Sequence, residues 1–153
     1  MMDFRVFLVS DLVLRTEIFY LPFRQLHVDL LGEEFTQKFE GSFRQRNHFT
    51  LFVAESLSGK ILGFKSGYEM DASTYYSWTG GVALEARKRG MATALMEAQQ
   101  DWCKKRGYIR VQTKSKNKFK EMLILNLKNG FDIVDIEPLV AGGERKIIFE
   151  KVL

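Results

Sequence analysis

The stretch Val82-Ala83-Leu84-Glu85-Ala86-Arg87-Lys88-Arg89-Gly90-Met91-Ala92 constrains this chain more than any other. It reads as the end of a strand, a tight basic turn and the start of a helix. Tyr75-Tyr76-Ser77-Trp78-Thr79, just ahead of it, is rich in the aromatic residues that strands favour. Beyond it, Met91, Leu95, Ala98 and Trp102 recur at helical spacing and form one apolar stripe. The first N–H groups of such a helix lack internal partners, and its dipole places positive charge there. Gly90 lets an anion approach the backbone closely, and Arg87, Lys88 and Arg89 add charge. The turn is therefore a cradle suited to a pyrophosphate, unless it is an ordinary strand-to-helix turn with a solvated basic tip.

Charge distribution favours the cradle. From Arg87 to Lys120 there are 11 Lys and Arg against two Asp and Glu, a net of +9. The remainder holds 12 against 17, a net of −5. One segment is built to meet an anion, and the mildly acidic rest would suit a cationic amine. Lys114, Lys116, Lys118 and Lys120 alternate through a basic loop, which either captures a further phosphate or is simply solvated. No recognised helix-turn-helix, RNA-binding or zinc motif accompanies the basic segment, so a nucleic acid is not the expected partner.

The 153 residues suit one domain, 1–153, and the apolar fraction of 46% suffices for a core. No apolar run has the length of a membrane span, and Met1-Met2-Asp3-Phe4-Arg5 lacks a signal-peptide pattern. A soluble cytoplasmic protein, with no membrane partner, is expected. Cys103 is the single cysteine, which leaves no thiolate metal site and favours a buried structural thiol over a nucleophile. His27 and His48 have no partner at metal-ligand or triad spacing, so no metal is expected and both are read as structural or surface residues.

Taken in order, Phe4–Val9 reads as a strand. A helix capped by Ser10 or Asp11 follows, ended or kinked by Pro22. Residues 23–32 are ambiguous, and Glu33–Arg46 forms a second helix with Phe35, Phe39 and Phe43 in one row. Phe49–Glu55, Ile61–Met70 and Tyr75–Leu84 make an antiparallel meander, with Gly80-Gly81 marking a bulge. The cradle helix runs to Arg106, and Ile109–Thr113 is the parallel strand that completes a β-α-β crossover. Lys114–Lys118 reads as a loop, followed by a helix to Lys128. Phe131–Glu137 and Arg145–Val152 are the last strands, joined through Pro138 and Gly142-Gly143. The fold class is a mixed α/β (α+β) domain.

Arg87-x-x-Gly90-x-Ala92 resembles the acyl-CoA pyrophosphate signature (Q/R)-x-x-G-x-(G/A) of the GNAT superfamily of N-acetyltransferases. The preceding Gly81–Ala86 resembles that family's strand end, with Leu84 where a Pro is common. The order of elements, β-α-α-β-β-β-α-β-α-β-β, is similar to the GNAT fold over essentially the whole chain. The resemblance implies acetyl-CoA as co-substrate, its pantetheine arm against Val82, Ala83 and Leu84 in a gap opened by the bulge. Arg87, Lys88, Arg89, Gly90, Met91, Ala92 and Thr93 would surround its pyrophosphate. It further implies direct attack on the thioester by a primary amine of a small molecule or a protein, and it admits a homodimer.

Candidate bases are Glu69 and Glu55 on the meander, or a water held by Ser77, Thr79 or Tyr68. The family's N-x-x-A-x-x-x-Y-x-x-x-G-F pattern, whose Tyr protonates the thiolate, is met here only at Gly130-Phe131. The Tyr position holds Asn126, the Ala position Met122 and the Asn position Phe119, with Asn117 placed to replace the missing CoA contact. Asn126 either bonds the CoA sulfur or a water, or is a core amide satisfied by backbone. Either the thiolate leaves unassisted or another group serves. The missing Tyr keeps open the alternative of a CoA-binding module with little or no catalysis.

Overall fold

A computed structural model of the chain describes residues 3–138 and 143–153. Its centre is a mixed sheet of seven strands in the order β1-β2-β3-β4-β5-β7-β6. These are β1 (Phe4–Leu8), β2 (Thr50–Ser56), β3 (Ile61–Glu69), β4 (Thr74–Val82), β5 (Arg110–Lys116), β6 (Asp132–Ile136) and β7 (Lys146–Val152). The expected meander and crossover are present, since β1 to β4 pair antiparallel in sequence and β4 pairs parallel with β5. Helices α1 (Asp11–Leu14), α2 (Glu17–Leu31) and α3 (Glu33–Ser42) precede β2, α4 (Met91–Lys105) joins β4 to β5, and α5 (Lys120–Lys128) follows β5. None of these helices is long and apolar enough to cross a membrane.

Three expectations are corrected. The N-terminal helix does not end at Pro22. It breaks at Thr16, whose extended backbone starts α2, and α2 then runs through Pro22. Proline removes one bond to the carbonyl four residues back, that of Ile18, and Ile18 is 88% exposed, so water can satisfy it. Burial of Phe23 and His27 holds the rest of the helix, including the ambiguous residues 23–31. The second helix stops at Ser42 and tightens into a 3₁₀ turn at Phe43–Gln45, leaving Phe39 and Phe43 buried and Phe35 partly exposed. Finally, Lys114 and Lys116 are strand residues, not loop. Pairing of Lys114 with Ile148 and Lys116 with Lys146 extends β5, a long-range effect invisible in local composition. Gly142, expected in the last connection, lies outside the described residues.

Two layers cover the sheet. On one face α2 and α3 bury an aromatic cluster of Phe23, His27, Phe39, Phe43 and Phe64. On the other, α4 lays Met91 and Leu95 against Gly63, and Met96 and Cys103 pack with Tyr75, Val111 and Phe149.

The bulge sits beside the expected glycines. Lys65 pairs with Gly80 and Gly67 with Ser77, so Trp78 and Thr79 together oppose Ser66. The parallel pairing of β4 with β5 ends at the same level, with Ser77 opposite Thr113. Beyond it β4 stays with β3 up to Val82, while β5 stays with β7 up to Lys116. The sheet therefore forks at Ser77, and among the described residues no strand lies beside the edge of β4 from Trp78 to Val82.

Candidate functional site

The fork leads to the start of α4. Ala83 N–H donates to Leu62 O at 2.7 Å, so by strand alternation the Val82 N–H faces the forked edge. A ligand in the gap thus meets Val82, while the amide of Ala83 is spent on β3. Arg87 Nε donates to the Val82 carbonyl at 3.1 Å and ties the basic turn back to the strand. Leu84 opens a short 3₁₀ turn and is 79% exposed. Lys88 at φ +61° and Gly90 at φ +80° are left-handed, which turns the chain sharply into the helix.

The N-terminus of α4 is bare. Its first backbone bond is Ala94 N–H to Gly90 O, so Met91, Ala92 and Thr93 hold unspent N–H groups. Among the described residues no side chain caps it, and no acid stands in its first turn. By contrast, α1 has its Ser10 cap and Asp11, and α2, α3 and α5 carry Glu17, Glu33 with Glu34, and Glu121. A Cβ on Gly90 would meet nothing within 4 Å, so the turn beside these donors is open at Gly90. Arg87, Lys88 and Arg89 are exposed around it. Donors, dipole and cations converge on one spot, which fits a diphosphate.

Polar atoms cluster below. Ser77, the last residue before the fork, accepts at its carbonyl from the Thr113 hydroxyl at 3.0 Å, but its own buried Oγ has no partner among the described residues. Gln99 of α4 donates from Nε2 to Ser66 O at 3.1 Å and leaves its buried Oε1 unpartnered. Asn126 is buried on α5, and its side chain makes no hydrogen bond among the described residues. Asn117 lies past the end of β5, exposed, within 3.5 Å of Lys120 Nζ. Lys114 is engaged by Glu137, and Lys118 lies 3.6 Å from Glu144.

The catalytic candidates are spread out. Glu69 pairs in register with Tyr75, at the closed end of the sheet. It accepts from Tyr108 Oη at 3.1 Å, and burial together with that bond pushes the phenol up to about 12. A cavity lined by Gln45, Arg46, Asn47, Tyr68, Glu69 and Met70 opens beside it. Glu55 is tied to Arg5 at the other edge of the sheet. Thr79 Oγ1 is bonded to Ser66 Oγ, and Tyr68 lies beneath the Arg46 guanidinium at 4.5 Å. The structure thus brings Val82, Arg87–Thr93 and Ser77 around the fork and leaves Glu69 two strand residues away. Sequence reasoning passed over Gln99 and Lys65. The signal for Lys65 was its setting, Gly63-Phe64-Lys65-Ser66-Gly67, a cation in an otherwise uncharged run.

Cys103 is buried, and burial pushes its thiol up to about 12, as befits a structural role. His27 is also a core residue.

A model described as the acetyltransferase (GNAT) family matches residues 16–120, a span that contains both the fork and the cradle. The chain belongs to this family. It is an acetyltransferase with the GNAT fold. No curated protein matches the chain. A GNAT family acetyltransferase from Elizabethkingia anophelis, solved with acetyl-CoA bound, is 20% identical over 98% of each chain, with a TM-score of 0.76. The ribosomal-protein-S18-alanine N-acetyltransferase of Escherichia coli is 16% identical over 98% of this chain and 94% of its own, with a TM-score of 0.74. A GCN5-related N-acetyltransferase from Kribbella flavida is 18% identical over 98% of each, with a TM-score of 0.73. At these identities the likeness is one of fold.

Proposed function

We propose that this GNAT protein transfers an acetyl group from acetyl-CoA to a primary amine of a small molecule or a protein by direct attack. The observation that carries the reading is the bare N-terminus of α4 beside the fork between β4 and β5. The N–H groups of Met91, Ala92 and Thr93 take the diphosphate, with Gly90 leaving it room and Arg87, Lys88 and Arg89 supplying charge. The pantetheine arm lies along the open edge of β4, where the N–H of Val82 receives it, and Ala83 and Leu84 line its path. Asn117 contacts the coenzyme beyond β5.

An amine with an ordinary pKa near ~10.4 must shed a proton before it attacks. Glu69 takes it through water for an acceptor seated in the cavity beside Gln45 and Asn47. Asn126 holds a water or the coenzyme sulfur by hydrogen bonding, since an amide cannot give up a proton as a phenol can.

Calorimetry of acetyl-CoA against wild type and Gly90→Glu tests the cradle. The variant strains a backbone at φ +80° and places a carboxylate among the bare donors. Its affinity should fall at least ~10-fold, given that each lost charge-assisted bond is worth about 1.5–3 kcal/mol. Equal affinity in a folded variant overturns the assignment. Acetylated product from a panel of primary amines, read by mass spectrometry, separates an enzyme from a binding module without turnover.

A further inference from the structure

Lys65 lies midway along β3 on the face covered by α4. Its neighbours on that face are Gly63 and Gly67 on its own strand, Phe52 across on β2 and Gly80 across on β4. A Cβ on Gly80 would lie 3.5 Å from Lys65 Nζ and 3.8 Å from its Cα. The lysine therefore folds over β4 at Gly80, the residue on this face of the strand that has no side chain, and its ammonium reaches toward the forked edge. The bulge at Trp78–Thr79 sets this up, because it brings Gly80 opposite Lys65.

No acid pairs with this ammonium, and no hydrogen-bond acceptor holds it, among the described residues. The unpartnered oxygens of Ser77 and Gln99 lie on the same face. None of Phe52, Gly63, Gly67, Gly80, Ser77 and Gln99 titrates. The titratable groups of this face, Tyr75, Cys103, Tyr108 and Glu69, gather toward the closed end of the sheet. Loss of water alone brings the ammonium down from 10.5 to about 8. A half-buried cation with no counter-charge is a net cost to folding, and a site where negative charge appears during a reaction offsets it.

Acetyl transfer creates such a charge on the coenzyme sulfur. Resting on the acetyl-CoA reading above, we propose that Lys65 is the proton donor to the thiolate that leaves acetyl-CoA, the role that Asn126 cannot fill. The neutral amine adds to the thioester carbon and gives a tetrahedral intermediate with a positive nitrogen and a negative oxygen. The carbonyl re-forms as the C–S bond breaks, and the electron pair leaves on sulfur. The Lys65 ammonium gives its proton to that sulfur and becomes a neutral amine. The nitrogen of the new amide releases its extra proton, which restores the ammonium directly or through water. The products are the acetylated amine and the free thiol of CoA.

Binding of CoA to wild type, Lys65→Met and Lys65→Arg, with the bound thiol titrated by its thiolate absorbance, tests this without turnover. A cation beside the sulfur lowers the bound thiol by roughly one pK unit or more from its ordinary value in wild type and Lys65→Arg, and leaves it unshifted in Lys65→Met. In the transfer reaction, kcat should fall about 100-fold in both variants with little change in KM for acetyl-CoA, because arginine keeps the charge but holds its proton. The alkaline limb of the wild-type kcat/KM profile, with a midpoint near 8, should vanish in Lys65→Met. A thiol that titrates alike in wild type and Lys65→Met overturns the proposal, and so does a kcat within twofold of wild type in a folded variant. If wild type itself binds no CoA, the reading of the cradle fails instead.

Discussion

Among the described residues, two places bury polar atoms without a partner, one on each side of the sheet. Under α2 and α3, His27 is fully buried with its ring 4.7 Å from Phe39 and 5.1 Å from Phe64. Thr36 gives its hydroxyl proton to Gly32 O, so its oxygen accepts from His27 Nδ1–H, and Nε2 is left as a bare lone pair. Aromatic rings surround that lone pair. Under α4, Ser77 Oγ and Gln99 Oε1 are equally unpartnered, but they lie where two strands part. Each such atom costs about 1–3 kcal/mol. The first cost is locked into a dry core, while the second can be recovered by a ligand or water that enters the fork. Unsatisfied polarity marks a site only when an opening accompanies it.

Three experiments press on this contrast. The largest effect is expected at Phe23, whose ring touches those of Phe39, His27 and Phe64. Phe23→Ala should lower unfolding stability by about 3–5 kcal/mol in denaturant titration. A loss below ~1 kcal/mol means that the wall yields and the side is not sealed.

The second is the acid response of His27. Burial holds its pKa down at about 4, against 6.5 for a free imidazole. Between those values the unfolded chain binds a proton that the native state refuses, so stability falls as pH drops from about 6.5 to 4. The full effect is on the order of 3 kcal/mol, and stability above pH 7 is untouched. Comparison of unfolding curves for wild type and His27→Gln isolates it. An equal acid slope in both proteins shows that water reaches the ring.

The smallest difference contrasts the two sides directly. Ser77→Ala removes an atom that had no partner, so stability should stay within ~0.5 kcal/mol of wild type. Thr36→Val on the sealed side strips His27 Nδ1 of its acceptor and should cost about 1–3 kcal/mol. If Ser77→Ala proves as damaging, its oxygen is held by something already bound, and the fork is less open than its edge suggests.

The sharp turn into α4 and the bulge in β4 were legible because their causes are local. A glycine at the helix start, a basic turn and paired glycines in a strand all act within a few residues. The course of α2 was not legible, because Pro22 interrupts the pattern and only burial of Phe23 and His27 restores the helix. The lysines at 114 and 116 misled for a related reason. Their strand exists because β7, thirty or more residues later, pairs with it. Lys65 needed both the register of β3 on β4 and the closeness of α4, neither of which any short window holds. The family match likewise stops at residue 120, so Asn126 and the departure on α5 lie outside it.

One buried side chain has a practical use. Cys103 is the chain's single thiol, is fully enclosed, and stays protonated at neutral pH. Since only an accessible thiolate reacts with disulfide dyes, the native protein is silent to them. Such a dye, added during turnover, therefore reports coenzyme sulfur without background. On a denatured sample the same dye counts one equivalent per chain, so one reagent can serve as both an enzyme assay and an unfolding clock.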